Sequence, residues 1–284
     1  MYEGECKHMI EYAKAHACGN DFLVVEAAPR SDDAERSLAI ALCARTTGVG
    51  ADGVEFLEWT GERAGTIRLR NADGGIAEIS GNGTRCVAAW MVHKTGAAPG
   101  STFTLTTDAG ARNCTLVSCD GASGLYRTSM GIPTAEWAFI ELAEQGITVE
   151  GATVSTGNPH FVIRVENESF AVSGLDWQEV GRAVCFHPHF PAQTNVEFIF
   201  VVSAGEIELR IYERGVGPTS SSGTGTCAAA TAAIRFHNCN RSLHIYAPGG
   251  TQQVHWPADE QEIELTGPAT LIGTGTAFIE EAAE

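Results

Sequence analysis

Lysine is nearly absent from this 284-residue chain, which carries only Lys7, Lys14 and Lys94. Cationic charge as a whole is scarce: Lys and Arg total 18 against 35 Asp and Glu, a formal net charge of −17. A chain this acidic repels phosphate backbones and anionic headgroups, so nucleic acid and membrane surfaces are excluded as partners. The longest cationic clusters, such as "RLRN", are too short to reverse that. With so few lysines, no environment for a Schiff-base cofactor stands out. Long apolar runs are missing too. Stretches such as "VEFIFVV" fall far short of a bilayer span, and the opening "MYEGECKHMI" lacks the cationic-then-apolar layout of a secretory leader. The expectation is a cytoplasmic protein.

No Cys-x-x-Cys pair occurs among the nine cysteines, Cys6, Cys18, Cys43, Cys86, Cys114, Cys119, Cys185, Cys227 and Cys239. Their odd number and scattered spacing argue against a disulfide framework and a structural zinc site. His187 and His189 flank Pro188 without companions enough for a metal, so no metal is expected.

What the chain does have is strand signal. Short alternating or β-branched runs recur, among them "DFLVVEA", "GTIRLRNA", "STFTLTTD", "CTLVSCD", "HFVIRVE", "VEFIFVV", "EIELRIYE", "LHIYA", "QQVHW" and "EIELTG", bounded by Gly, Asp, Asn or Pro. Four segments read as helices. "DDAERSLAIALCART" and "DWQEVGRAVC" have apolar residues at helical spacing after acidic starts. "TRCVAAWMVHKTG" and "TGTCAAATAAIRFHN" are rich in small residues and follow glycine motifs. Small residues on all sides of a helix permit close packing all round, so these two are expected at the centre of strand layers.

The two small-residue helices are preceded by nearly the same words, "SGNGTRC" from Ser80 and "SGTGTC" from Ser222. A helix opening on Ser-Gly-x-Gly leaves backbone N–H groups unpaired. Its glycines admit a ligand close to the backbone, and its dipole adds partial positive charge. Together these suit a carboxylate or phosphate. No Lys-Ser/Thr follows, as a Walker loop would require, and the spacing is not that of a dinucleotide fingerprint. Two such ends, one per half of the chain, can grip one anion from two sides. Taken singly, each serine is also explained as a helix N-cap.

The two approaches, "NADGGIAEISGNGTRC" and "YERGVGPTSSSGTGTC", resemble the diaminopimelate epimerase family. So do "HACGNDFLVVE", "ARTTGVGADGVEFLE", "TGNPHFVIRV", "FPAQTNVEF" and "LTGPAT", in the family's order over essentially the whole chain. The resemblance implies an α+β fold of two pseudo-symmetric domains. Each would be a β-barrel-like sheet wrapped around a central α-helix, with the active site in the cleft between them. The first domain would take residues 1–134 plus a final strand in 272–284, and the second residues 135–271. It implies a cofactor-independent isomerase that inverts the Cα of diaminopimelate, an amino-acid substrate, in lysine and cell-wall precursor synthesis. Family members use two cysteines, one per half, as acid and base on opposite faces of Cα, and they often dimerise.

At those two catalytic positions this sequence has Ser80 and Ser222. Cys86 and Cys227 belong to the helices that follow. An alcohol is a weaker acid than a thiol by roughly five units, or about 7 kcal/mol, so a serine base needs an activator. Candidates are His160, Glu213 and His16. Three readings follow. Activated serines do the two-base work; or they hold a water or substrate hydroxyl in another racemase, isomerase or dehydratase; or the chain is an inactive amino-acid-binding relative or a Cys-to-Ser trap. By resemblance, Asn20, Asn71, Asn158, Asn195, Glu213 and Arg214 hold the substrate's polar groups, Arg214 its distal carboxylate. Gly81, Asn82, Gly223 and Thr224 offer N–H groups to the α-carboxylate. His160 either lines the cleft or is a hydrogen-bonded turn histidine. Arg45 and Asp52 are expected to pin the "TTGVGAD" loop.

Overall fold

The computed structural model describes residues 8–26, 31–77 and 80–279. The opening decapeptide up to Lys7, with Cys6, lies outside the described residues, as do Glu78 and Ile79 of the first approach and 280–284 at the end of the final strand. The chain divides into two compact units. One takes residues up to Arg127 and from Pro268 onward; the other is Thr128–Gly267. The boundaries expected from sequence lay at 134 and 271.

The first unit is built from β1 (His8–Ala17), β2 (Asn20–Glu26), α1 (Asp32–Cys43), β3 (Gly53–Gly61), β4 (Ala64–Asn71), β5 (Ile76–Ala77), α2 (Gly81–Thr95), β6 (Thr102–Thr107), β7 (Gly110–Asp120) and β8 (Ser123–Ser129). The second has β9 (Thr134–Leu142), β10 (Ile147–Ser155), β11 (Pro159–Val165), α3 (Trp177–Cys185), β12 (Asn195–Ser203), β13 (Glu206–Glu213), β14 (Gly217–Thr219), α4 (Gly223–Phe236), β15 (Ser242–Ala247) and β16 (Gly250–His255). β17 (Glu264–Ile279) serves both. The fold is α+β, as expected.

The two units repeat one pairing scheme. In the first, β1–β2 is antiparallel, β2–β3 parallel, β3–β4 antiparallel, β4–β6 parallel and β6–β7 antiparallel. In the second, the same alternation runs through β10–β11, β11–β12, β12–β13, β13–β15 and β15–β16. Each parallel pair needs a crossover, and each crossover is a helix: α1 and α2 in one unit, α3 and α4 in the other.

Strand alternation sorts the faces. Val54 and Phe56 of β3 pack with Leu38, Ala39 and Leu42 of α1, whereas Leu57 packs with Val87 and Met91 of α2. Glu55, between Val54 and Phe56, therefore points to the α2 side. Likewise Val196 and Phe198 of β12 pack with Val180 and Val184 of α3, which turns Glu197 to the α4 side. Residues Gly223–Ile234 of α4 are all buried, and its alanines are sealed at 228–230 and 232–233. A larger side chain there would overpack the unit, at about 1–3 kcal/mol.

Several elements differ from the sequence reading, whose strand runs do not include β1, β3, β8, β9 or β10. The glycine-rich approaches, for which no strand was expected, each contain a short one, β5 on β4 and β14 on β13, so each forms a hairpin ahead of the helix. "EIELTG" and the expected final strand are one continuous strand, β17, which passes through Gly267 and Pro268 without a break.

Candidate functional site

Both head serines are helix N-caps. Ser80 is extended (φ −127, ψ 118), and its Oγ accepts the Gly83 N–H at 3.0 Å. Ser222 is extended as well (φ −142, ψ 129), and its Oγ accepts the Gly225 N–H at 3.3 Å. In both turns the threonine at the fourth helical residue donates back to the serine carbonyl, Thr84 Oγ1 at 2.8 Å and Thr226 Oγ1 at 2.6 Å. The N-cap reading therefore holds for each, and it also polarises each hydroxyl. An N–H aimed at Oγ and the partial positive helix end both favour charge on that oxygen. Such terms are worth about 0.3–2 kcal/mol, well short of the ~7 kcal/mol that separates alcohol from thiol. The helix end alone does not make a base of serine.

Around α2 the asparagines form a chain. Asn82 Nδ2 donates to Asn20 Oδ1 at 3.2 Å, and Asn20 Nδ2 to Asp52 Oδ2 at 2.6 Å. Asp52 also accepts the Asp21 N–H at 3.1 Å and takes Arg45 on its other oxygen at 2.6 Å. Arg45 and Asp52 do pin the loop, and through Asp52 they orient Asn20. Burial alone would raise the Asp21 carboxyl, but hydrogen bonds from Arg45 and Lys14 outweigh it and hold its pKa below the ordinary value. The fully buried Arg85 donates to Asn82 Oδ1 at 2.6 Å and to the Gly81 carbonyl at 3.0 Å. Asn71 closes the 71–75 turn through its backbone, with its side chain exposed.

Around α4 a longer chain exists. Thr224 Oγ1 is 3.5 Å from Ser222 Oγ and accepts Asn158 Nδ2 at 3.4 Å. Asn158 Oδ1 meets His160 Nε2 at 2.9 Å, and His160 Nδ1 meets Glu197 Oε1 at 2.8 Å. His160 is thus a buried residue of strand β11 with both nitrogens engaged, so of its two expected settings the turn is ruled out. Asn195 is nine-tenths buried; it donates to the Pro159 carbonyl at 3.2 Å and accepts the Arg214 N–H at 2.9 Å. The exposed Arg214 guanidinium rests on the Ala192 carbonyl at 3.1 Å. Glu213 precedes it, half-buried, at the end of β13. Gly81, Asn82, Gly223 and Thr224 are the first residues of their helices, where N–H groups have no intrahelical acceptor.

Of the activator candidates, His160 is joined through Asn158 to Thr224 of the Ser222-capped helix. His16 accepts the Gly19 N–H at 3.4 Å in its own turn. Sequence reasoning missed Glu55 and Glu197, the carboxyls beneath the two helix ends. A signal existed: "VEF" occurs at Val54–Phe56 and again at Val196–Phe198, each time a lone acid inside an apolar run.

The eight cysteines among the described residues are thiols, not disulfides. Burial pushes the Cys86 thiol far above its ordinary range, so it is an inert core group and no substitute for a catalytic cysteine. Among the described residues no cluster of His, Cys, Asp and Glu could hold a metal, and no helix is long and apolar enough to cross a membrane. His187 bonds the Glu141 carbonyl at 3.1 Å and caps the His189 N–H at 3.1 Å.

A family model described as "Diaminopimelate epimerase" matches residues 12–134 and 152–272. The diaminopimelate epimerase of Moorella thermoacetica is 36% identical over 279 residues, covering 94% of this chain and 98% of the relative. That of Xanthomonas campestris pv. campestris is 33% identical, over 94% and 95%. Diaminopimelate epimerase 1 of a Nostoc species is 35% identical, over 94% and 99%. Among solved structures, a hydroxyproline epimerase from Agrobacterium vitis superposes with a TM-score of 0.70 at 16% identity, over 97% of this chain and 93% of that one. A phenazine biosynthesis protein from Bacillus anthracis does so with a TM-score of 0.70 at 14% identity, over 96% and 100%. At these identities the structural likeness concerns the fold.

Proposed function

Because the chain belongs to the diaminopimelate epimerase family, we propose that it interconverts LL- and meso-diaminopimelate without a cofactor, Ser80 and Ser222 being the acid and base at Cα. One hydroxyl removes the Cα proton while the other delivers a proton from the opposite face; the roles exchange in the reverse direction. The observation that carries this reading is the matched pair of helix starts. Each has a serine Oγ already accepting a helix N–H and, beside it, first-turn backbone N–H groups for which the helix itself supplies no acceptor. Donors of this kind stabilise the negative charge that grows on the α-carboxylate as the proton leaves. Asn20, Asn71, Asn158, Asn195 and Glu213 would bind the remaining polar groups, and Arg214 the distal carboxylate. On this reading the protein works in the cytoplasm, and it pairs as a homodimer as family members often do.

The serine pair itself favours a second reading, because an alcohol is the weaker acid. A racemase, isomerase or dehydratase of another amino or hydroxy acid would use the hydroxyls differently, and an inactive relative would only bind. Incubating the purified protein with LL-diaminopimelate and resolving the products by chiral chromatography tests the proposal. Accumulation of the meso form supports it. An unsaturated product supports the dehydratase, and unchanged substrate at high enzyme concentration refutes the epimerase.

A further inference from the structure

Glu55 is 1% exposed, and neither of its carboxyl oxygens has a hydrogen-bond partner among the described residues. Buried carboxyls are ordinarily paired, so a doubly orphaned one invites a reason. Its surroundings supply one. The side chain projects from β3 under the first turn of α2, where any Cβ on Gly83 would collide with Glu55 Oε1. That same Cβ position lies 3.2 Å from Ser80 Cβ, and Gly83 is the residue whose N–H caps Ser80 Oγ at 3.0 Å. Glycine at 83 therefore leaves open the one small volume that Glu55 and Ser80 share.

The second unit repeats the arrangement. A Cβ on Gly225 would lie 2.6 Å from Glu197 Oε1 and 3.3 Å from Ser222 Oγ. There the carboxyl is bonded to His160, and its other oxygen is again unpartnered. Finding a buried glutamate at the same point under both serine-capped helices makes an accident of packing a poor explanation.

We propose that Glu55 is the proton-relay partner of Ser80: a positioning residue that acts through the Ser80 hydroxyl and never touches substrate. This deepens the epimerase reading and rests on it. In the abstraction direction the Cα–H bond breaks and its proton goes to Ser80 Oγ. The original Ser80 O–H proton passes to a Glu55 carboxylate oxygen. The electron pair stays on the substrate, and Glu55 ends neutral. In the delivery direction each transfer reverses. Serine is neutral before and after, so no free alkoxide is required. In this relay one bridging water carries the proton between the Ser80 hydroxyl and the carboxyl.

The relay needs a carboxyl that holds and loses a proton near neutrality. Burial pushes Glu55 up to about 8 from an ordinary 4.5. The groups around it leave that shift in place. From α2, Arg85 is bonded to Asn82 and the Gly81 carbonyl, and the Cys86 thiol is itself raised. From β2, Asp21 is paired with Lys14 and Arg45. From β4, Arg68 and Arg70 turn to the other face and pair with Glu35 and Asp32 of α1.

Two measurements on Glu55→Gln decide the matter. In steady-state kinetics, kcat is expected to fall by about 10²-fold in both directions with KM little changed, and the limb of the pH profile near 8 should vanish. Unchanged kcat and an unchanged profile overturn the inference. The second readout needs no turnover. Infrared difference spectra of wild type against Glu55→Gln isolate the protonated Glu55 carboxyl and its titration midpoint. Ser80→Ala should move that midpoint, and a midpoint indifferent to Ser80→Ala overturns the coupling. A wild-type protein inactive on diaminopimelate would sink the substrate proposal, while the infrared arm would still decide the fate of Glu55.

Discussion

Replacing Glu55 with glutamine should make the protein more stable at neutral and alkaline pH. The carboxyl sits at about 8 in the folded chain against an ordinary 4.5. Between those values the folded state holds a proton that the unfolded state releases, so stability falls as pH rises through the window. At about 1.36 kcal/mol per unit, the loss is about 5 kcal/mol across the window and about 3 kcal/mol by pH 7. Glutamine keeps the shape and has no proton to lose. Urea unfolding of wild type and Glu55→Gln at a series of pH values between 4.5 and 8.5 measures the difference directly, because every other titrating group is common to both and cancels. The midpoint concentration of wild type should fall with pH more steeply than that of the variant. Parallel curves would refute the reasoning, since they would mean that Glu55 is as easily ionised folded as unfolded. A residue that costs several kcal/mol and has no partner fits a functional demand better than a structural one.

Ser222→Ala removes both an N-cap and a proposed acid/base group; unfolding free energy should drop by about 1 kcal/mol and turnover by at least about 10²-fold, and retention of full activity would contradict the role of Ser222. The double variant Ser80→Cys, Ser222→Cys should keep or raise epimerase activity, because thiols are stronger acids in the same slots; complete silence toward diaminopimelate would count against the substrate. Arg214→Ala should weaken diaminopimelate binding in calorimetry by about 10- to 100-fold, as loss of a charge-assisted contact of about 1.5–3 kcal/mol implies, and unchanged affinity would remove Arg214 from the site.

Helices and motifs were the readable part of this chain. All four helices follow from apolar spacing, acidic starts and small-residue runs, and the serine caps from the words "SGNGT" and "SGTGT". Strands interrupted by glycine were harder. β17 runs through Gly267, Pro268, Gly273 and Gly275, residues that normally mark an end. β9 and β10 carry exposed Trp137 and Phe139 and a mid-strand Gly151, which blur the alternation. The asparagine chain through Asp52 was half visible, since Arg45 and Asp52 announced a pinned loop but not its grip on Asn20. Glu55 was missed for a physical reason. A glutamate in a strand reads as solvent-facing, and the repeated "VEF" marks a lone acid in an apolar run without saying which way it points; its neighbours across β3 and α2 show that it points inward.

The central claim is that the two serine-capped helix ends move a proton on and off Cα. Incubation of the protein with LL-diaminopimelate in deuterium oxide, followed by mass spectrometry, tests it most directly. The account predicts one solvent deuteron at the inverted centre of the meso product, with incorporation abolished in both Ser80→Ala and Ser222→Ala. Inversion without deuterium uptake, or uptake that survives in both variants, would contradict it.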